Sequence, residues 1–460
     1  MAITASSLTT VSGLLKQYYD KPEVIKNVMI SAGPLQSHLL ENGNQEANGA
    51  NIPCPIITGS GGGVGSQIAT VNSNSSPAQT YNFLLTRSST WGVGQVGQQV
   101  LEASANAPEG AFLADGILEV DAKRMRYHQY LAHLIYGWGD GVLFQQSATN
   151  SGSTALAETY ISLDDPLLAA KVQTGDVLQY SSTAGGSPGD AGALGYVLGV
   201  TLFGTGAGRI SVSNSPGGAA TLLTTIWPSI ATGAYFVMAG DTAAATSDGG
   251  TGPAVIQGIM AWTGTGALFG VTSAQRAANP AFLSVQLVDC TAKGLNLGSV
   301  RQSIALGVAQ AATVSGAPKR GYCSPSLWFR LSEELQSQGM YPGNKGQGPS
   351  GEGSFGFSAL EMPTPSGPVE IIMDPQAMSY LPAGTYGSGY SGANIVYLLE
   401  TDTMEFYSMG EMGKLDNISA DDNVNYFLRN GSGAYTYQMS GFGQLGFHAP
   451  GHCFVMLCPQ

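Results

Sequence analysis

Apolar residues recur at three- and four-residue steps between positions 112 and 135, at Leu113, Ile117, Val120, Tyr127, Leu131, Leu134 and Ile135. That period predicts an amphipathic helix, with Gly137 as its stop and Glu119 and Lys123 as a favourable i, i+4 pair. About two dozen helical residues give a rod of roughly 36 Å. Upstream, residues 1–50 mix short apolar pieces (24–30 and 35–40) with polar ones, the pattern of an arm lying on something else. Residues 51–105 read as a long hairpin, with strand-like pieces around Ile56 and at 81–86 and flexible turns at 59–65 (GSGGGVG) and 72–76 (NSNSS). A two-stranded hairpin has little core of its own, so this one is expected to depend on neighbours.

Beyond residue 160 the pattern changes to short alternating runs at 172–180, 194–203, 209–213 and 235–238. Turn pairs punctuate them at Gly175-Asp176, Gly185-Gly186, Gly217-Gly218 and Gly240-Asp241. The spacing suits an inserted small barrel or sandwich. Between Arg209 and Arg276 there is no basic residue, and Asp241 and Asp248 are the only acidic ones. The remainder alternates helices and strands. Ser299 caps an expected helix through Val314, with Val300, Ile304 and Val308 on one face. A second has Ser324 as N-cap, Pro325 at its first position, Leu327, Trp328, Leu331 and Leu335 on one side, and Gly339 after its end. Strands are expected at 369–373, 395–400 and 404–408, then at 435–447 and 453–458, which together make an α+β platform.

Composition sharpens this picture. A chain of 460 residues exceeds one compact domain, so two to four structural units are expected. Only 11% of its residues are charged, against roughly a quarter in typical soluble domains. A lone monomer keeps itself soluble with surface charge, whereas interface cores are depleted in it. A surface largely covered by copies of the same chain fits that shortage. The 64 glycines suit extended β structure, and 20 Tyr, 15 Phe and 5 Trp spread along the chain exclude disorder.

The net charge of -13 and the lack of a basic patch argue against a nucleic-acid reader. The densest positive clusters, Lys319-Arg320 and the trio Lys123, Arg124 and Arg126, read as solvated or paired charges. Cys54, Cys290, Cys323, Cys453 and Cys458 are odd in number and scattered, as in reduced thiols of a cytosolic protein. Residues 1–15 lack the basic start and apolar core of a secretion signal. No run of 18 apolar residues predicts a membrane span.

Gly185-Gly186-Ser187-Pro188-Gly189 matches a nucleophile elbow in letters, but that motif needs a following helix. Here Asp190, Ala191 and Gly192 continue a turn, so a hairpin loop is expected. Residues 59–65 look like a phosphate loop without the Lys-Ser or Lys-Thr that reaches phosphate. His448, His452, Cys453 and Cys458 suggest zinc, yet two residues five apart in a strand face opposite sides. His128 and His133, also five apart, fall off a shared helix face. Asp164-Asp165 and Asp421-Asp422 sit beside turn signals and suit capping or solvation. No catalytic, cofactor-binding or metal-binding residue is assigned, and the chain is not expected to be an enzyme.

The order of arm, hairpin, long helix, inserted β domain and α+β platform resembles the layout of tailed-bacteriophage major capsid proteins, the HK97-like fold also shared by bacterial encapsulins. Individual stretches carry the resemblance as well. Residues 256–270 (IQGIMAWTGTGALFG), followed by Arg276, are similar to the segment leading into that family's axial domain. Residues 321–339 (GYCSPSLWFRLSEELQSQG) resemble the helix that opens it. Residues 370–374 (EIIMD), and 434–445 (AYTYQMSGFGQL) with Pro450, resemble the strands that lead back and close the subunit. Together these stretches cover most of the chain from Trp91 to its end.

The resemblance implies an arm at 1–50 and an extended loop at 51–105 that overlaps a neighbouring subunit. It implies a peripheral domain with spine helix at 106–150 and an inserted β-barrel-like domain at 151–252. An axial domain with its connections, around five- and six-fold axes, would occupy 253–432, and 433–460 would return to the peripheral domain. Implied partners are the chain itself, as pentamers and hexamers of an icosahedral head, a separate scaffolding protein, a portal protein and an optional decoration protein. The head would enclose double-stranded DNA without sequence-specific binding, with no cofactor and no membrane, and would assemble in the cytoplasm of a host bacterium. Some members weld subunits by a Lys–Asn bond from the extended loop. No lysine lies between Lys26 and Lys123 here, so this loop cannot use that chemistry. Two alternatives stand beside this reading: an encapsulin-type compartment shell, for which an inserted domain would be unusual, and a β-rich surface adhesin or carbohydrate-active protein, which a secretion signal and paired cysteines would favour.

Overall fold

The computed structural model describes residues 33–41, 51–59, 61–62, 64–98, 115–147, 158–202, 208–241, 255–289, 318–337, 359–364, 367–382, 390–409, 412–415, 428–429 and 434–459. Most of the expected arm, the helix from Ser299 to Val314, Cys290 and the pair Asp421-Asp422 lie outside these residues. Strands β1 (Asn51–Gly59) and β2 (Gln79–Thr86) pair antiparallel from Asn51 opposite Thr86 to Gly59 opposite Gln79. A short helix, Ile68–Ser73, sits in the turn between them. β3 (Ser88–Gly97) then leaves the hairpin and pairs with residues 434–443 at the far end of the sequence. The expected extended loop thus divides at Arg87, and its last segment is part of a sheet.

The long helix spans Asp115–Tyr136 and stops where Gly137 N–H bonds the Leu134 carbonyl at 3.1 Å. Tyr127, Leu131, Leu134 and Ile135 are buried, as their three- and four-residue spacing demands.

The inserted domain starts directly after this helix. Strands β4 (Val142–Gln145), β5 (Tyr160–Ser162), β6 (Val177–Ser181), β7 (Gly195–Thr201), β8 (Arg209–Ser213) and β9 (Tyr235–Met238) form one antiparallel sheet in the order β4-β9-β6-β7-β8-β5. Its two edges meet: Ser147 N–H bonds Ser162 O at 2.9 Å, and Asp164 N–H bonds Gln145 O at 3.0 Å. The sheet is therefore closed into a barrel, filled by Phe144, Phe236, Trp227, Leu178, Ile210 and Val212. The barrel begins at Val142, earlier than the expected 151. A four-residue apolar strand abutting a helix end carries no periodicity of its own. Met378, Tyr380 and Ala393, from the platform, also belong to the barrel's core, so the insertion is docked rather than tethered.

The platform has β10 (Gln286–Asp289), β11 (Arg320–Cys323), β12 (Ala359–Thr364), β13 (Gly367–Met373), β14 (Tyr390–Leu399) and β19 (Phe454–Pro459), in the order β10-β19-β14-β11-β13-β12. β10 with β19 and β11 with β13 are parallel pairs, and the rest are antiparallel. Strands buried on both faces read as continuous apolar runs, here NIVYLL and FVMLC. The helix Pro325–Ser337 covers one face with Leu327, Trp328 and Leu331, against Val369, Val396, Leu398 and Met456. Its start is as expected: Ser324 Oγ accepts Leu327 N–H at 3.3 Å, and Pro325 occupies the first turn. The other face gives Tyr322, Ile395, Tyr397 and Val455 to the main core, shared with the long helix. A further sheet centres on β18 (Ala434–Phe447). One edge pairs with β3, and the other pairs in turn with β15 (Met404–Ser408), β16 (Lys414–Leu415) and β17 (Leu428–Arg429).

Candidate assembly surface

The hairpin has two unlike faces because strand side chains alternate. Cys54, Ile56, Phe83 and Leu85 point inward and join the main core. Phe83 lies 4.9 Å from Trp262 between ring centroids, the Cys54 thiol donates to Phe447 O at 3.1 Å, and Leu84 N–H bonds Phe269 O at 2.8 Å. The hairpin foot is thus held by its own subunit, a correction to the expectation that the whole segment lacks a core. The distal end differs. Ile57 is 64% exposed, Ile68 79% and Val64 completely. The glycine-rich turn is nonetheless folded: Gly62 N–H bonds Ser76 Oγ at 2.7 Å. Gly61 has φ +84, and a Cβ there would meet Ser76 O at 2.1 Å.

At the foot, Asn51, Leu84, Thr86, Gln257, Leu268 and Phe269 line a cavity of about 440 Å³. Phe269 has φ 47, beside Gly270 at φ 85, in a two-residue turn closed by Leu268 and Val271. Such a bulky residue at positive φ stores about 1–3 kcal/mol. Arg276 holds this segment in place. Its buried guanidinium donates to Trp262 O at 2.8 Å, Gly266 O at 2.7 Å and Leu283 O at 3.4 Å. Desolvation pulls its pKa down to about 10.

Where the barrel meets the long helix and the platform, partly or fully buried polar groups stand in pairs. Arg126 holds Asp176 in a fork at 3.1 and 2.5 Å and also bonds Lys171 O at 3.1 Å. Tyr130 donates to Asp241, Tyr380 to Asp140, and Ser391 to Asp165. Lys171 is buried beside them, and desolvation, opposed by Asp140 and Asp165, pulls its pKa down to about 8. Nothing local in the sequence marks these acids as junction residues, although the turn signals beside Asp165 suit capping or solvation. Asp165 does cap, accepting Leu167 N–H at 3.1 Å.

The other candidates separate. Ser187 sits in the β6–β7 connection, followed by the single 3-10 turn Asp190–Gly192 and not by a helix. Asp190 is tied down by Ser229 N–H at 3.0 Å. Cys453, just before β19, belongs to the main core, and Cys458, within that strand, to the core under the 325–337 helix. Burial pushes the thiols of Cys54, Cys323 and Cys453 up to about 12. His448 bonds Tyr407 at 2.8 Å, while His452 lies in a 3-10 turn. His128 bonds Gln36 at 3.2 Å. His133 is buried, and desolvation holds its pKa well below the usual range. Among the described residues no three His, Cys, Asp or Glu side chains are grouped to hold a metal ion, and no helix is long and apolar enough to cross a membrane. Lys319 pairs with Glu400 at 2.9 Å and Asp402 at 2.5 Å, as its reading as a paired charge supposed.

No protein-family profile and no curated protein matches the chain. Among solved structures it is similar to phage capsid proteins over nearly its whole length. With the cyanophage A-1(L) capsid asymmetric unit it shares 12% identity over 98% of each chain, at a TM-score of 0.47. With the capsid of Myoviridae phage XM1 it shares 10% identity over 96% of this chain and 100% of that one, at 0.40. An encapsulin complex from Synechococcus elongatus matches only 37% of this chain and 52% of its own, with 14% identity and a TM-score of 0.23.

Proposed function

We propose that this chain is a non-catalytic shell subunit, a major capsid protein of a tailed bacteriophage. In this reading it forms pentamers and hexamers of an icosahedral head around double-stranded DNA. The observation that carries the reading is the divided hairpin, with a foot inside the subunit's own core and a distal end that carries Ile57, Val64 and Ile68 into solvent. Exposed apolar side chains on a projecting ribbon suit a neighbouring subunit. The low share of charged residues fits the same arrangement. A separate scaffolding protein and a portal protein complete the assembly in the host cytoplasm, with a decoration protein as an optional outer partner. DNA is enclosed by shape rather than read, in keeping with a chain of net charge -13.

Light scattering and negative-stain microscopy of the full chain, produced with its scaffolding partner, test this directly. Closed particles of megadalton mass are expected. A well-folded monomer as the only native species at physiological salt would overturn the proposal.

A further inference from the structure

The β1–β2 hairpin carries an unfilled apolar feature at each end. At its foot, Leu84 alternates with the buried Phe83 and Leu85, so it stands on the outward face of the ribbon, 41% exposed. It forms one wall of the cavity of about 440 Å³, and Ala267, Leu268 and Phe269 form the other. Asn51, Ala267 and Gly270, all exposed, stand at its mouth. Phe269 keeps its positive φ here, with Trp262 packed against it at 5.9 Å between ring centroids. Such backbone outliers persist only where the surroundings hold them, and they cluster at binding surfaces. At the far end, Val64 and Ile68 are the two most exposed large apolar side chains among the described residues. The eight residue pairs of the ribbon hold tip and foot about 25 Å apart, so neither feature fills the other within one subunit.

We propose that the foot cavity is the seat for the hairpin tip of a second copy, with Val64 and Ile68 entering beside Leu84 and Phe269. The inference rests on the shell-subunit reading and deepens it by naming what the tip packs against. The lining selects the occupant. None of the cavity's lining side chains is charged or titratable, so it offers no counter-charge to a phosphate, a metal ion or a charged peptide. It suits apolar side chains carried by an uncharged segment. The tip belongs to such a segment: between Glu46 and Glu102, Arg87 is the only charged residue. Copies that each carry a net charge of -13 repel one another wherever carboxylates face, and a neutral tip in a neutral seat avoids that repulsion. Tip and seat are different patches, so each copy gives one tip and receives another. A head-to-tail contact of this kind repeats from copy to copy and closes into a ring when its rotation permits.

Paired cysteines test the contact in assembled particles of the full chain. Val64 and Ala267 are both exposed in the subunit, so Val64→Cys and Ala267→Cys should leave its fold intact. Particles of the double variant, once oxidised, should give a ladder of multiples above the dimer on a denaturing gel without reductant. Either single variant should give no ladder. A single band, or nothing beyond a dimer, from intact oxidised particles of the double variant would overturn the inference. Failure of the wild type itself to form particles would instead remove the shell reading. A second measurement blocks the seat. Ala267→Trp should lower the yield of closed particles by about tenfold or more, with the circular dichroism of the subunit unchanged, while Ala267→Ser should assemble. Wild-type yield from a folded Ala267→Trp subunit would overturn the inference, and the cysteine ladder does not depend on that variant folding.

Discussion

Tyr136 donates a hydrogen bond of 2.8 Å to Asp374, joining the end of the long helix to the end of a platform strand. The same carboxylate accepts Gln376 N–H at 2.8 Å and Leu35 N–H at 3.4 Å, at the start of the helix Pro34–Glu41. Gly33 closes over it: a Cβ there would lie 2.5 Å from Asp374 Oδ1. One buried acid thus ties together three segments that are remote in sequence.

Asp374→Leu should therefore cost about 2–4 kcal/mol, because it leaves a buried hydroxyl and two backbone donors without an acceptor. Asp374→Asn, which keeps an acceptor oxygen, should cost distinctly less. Urea unfolding of the two variants measures the difference. Equal losses would show that the carboxylate's hydrogen bonds are not what holds these segments together.

Asp241 supplies a pH-dependent counterpart at the barrel junction. It is half-buried at the barrel's exit, receives the Tyr130 hydroxyl and sits beside Gly141 at the barrel's entrance. Desolvation pushes its pKa from 3.8 up to about 7, against the Tyr130 hydrogen bond, which lowers it. Arg126 also faces Tyr130 from the helix but is committed to Asp176. Between those two pH values the folded chain holds a proton that the unfolded chain has lost. Stability from this group should then fall as pH rises, by up to about 1.4 kcal/mol per pH unit, and level off above about 7. Thermal melts from pH 4.5 to 8 at fixed ionic strength should show this slope in the wild type and a flatter one in Asp241→Asn. The same slope in both would place the titration elsewhere.

The elements legible in the sequence are those whose signal is local. The long helix and the 325–337 helix carry a full period and end signals within their own length. The barrel's short alternating runs and glycine turns gave its architecture before its border. What escaped depends on partners far away. β3, rich in glycine and serine, has no strong alternation, and only its pairing with the C-terminal strand gives it a place. The hairpin foot reads as short of core in the sequence because Pro53 and Pro55 interrupt the run that buries Cys54 and Ile56. Arg126 reads in the sequence as one of three neighbouring solvated or paired charges, with no partner indicated. Its commitment to Asp176 follows from how the barrel folds back on the helix, which no spacing in the sequence encodes.

Mature particles should be held without covalent links between subunits. Cys54, Cys323, Cys453 and Cys458 are all buried, and burial suppresses the thiolates of Cys54, Cys323 and Cys453. The hairpin contains no lysine. Denaturing gels with and without reductant should give one band at the chain mass of 47.4 kDa. A ladder of multiples would refute this, and its loss on adding reductant would identify the link as disulfide.

The hairpin's two halves should respond to mutation in opposite ways. Phe83 is completely buried against Trp262, so Phe83→Ala should cost the isolated subunit about 3–5 kcal/mol through lost contacts and an unfilled cavity. Ile57, Val64 and Ile68 bury little within the subunit. Replacing all three with serine should change subunit stability by no more than about 0.5 kcal/mol at each site. If the distal half packs on a neighbour, the same triple variant should yield fragile or incomplete shells under the electron microscope. Circular dichroism of the subunit reads the first effect and microscopy the second. A triple variant that unfolds the subunit would place the tip in the core. One that assembles into particles of unchanged thermal stability would make the tip a passive loop and remove its role between subunits.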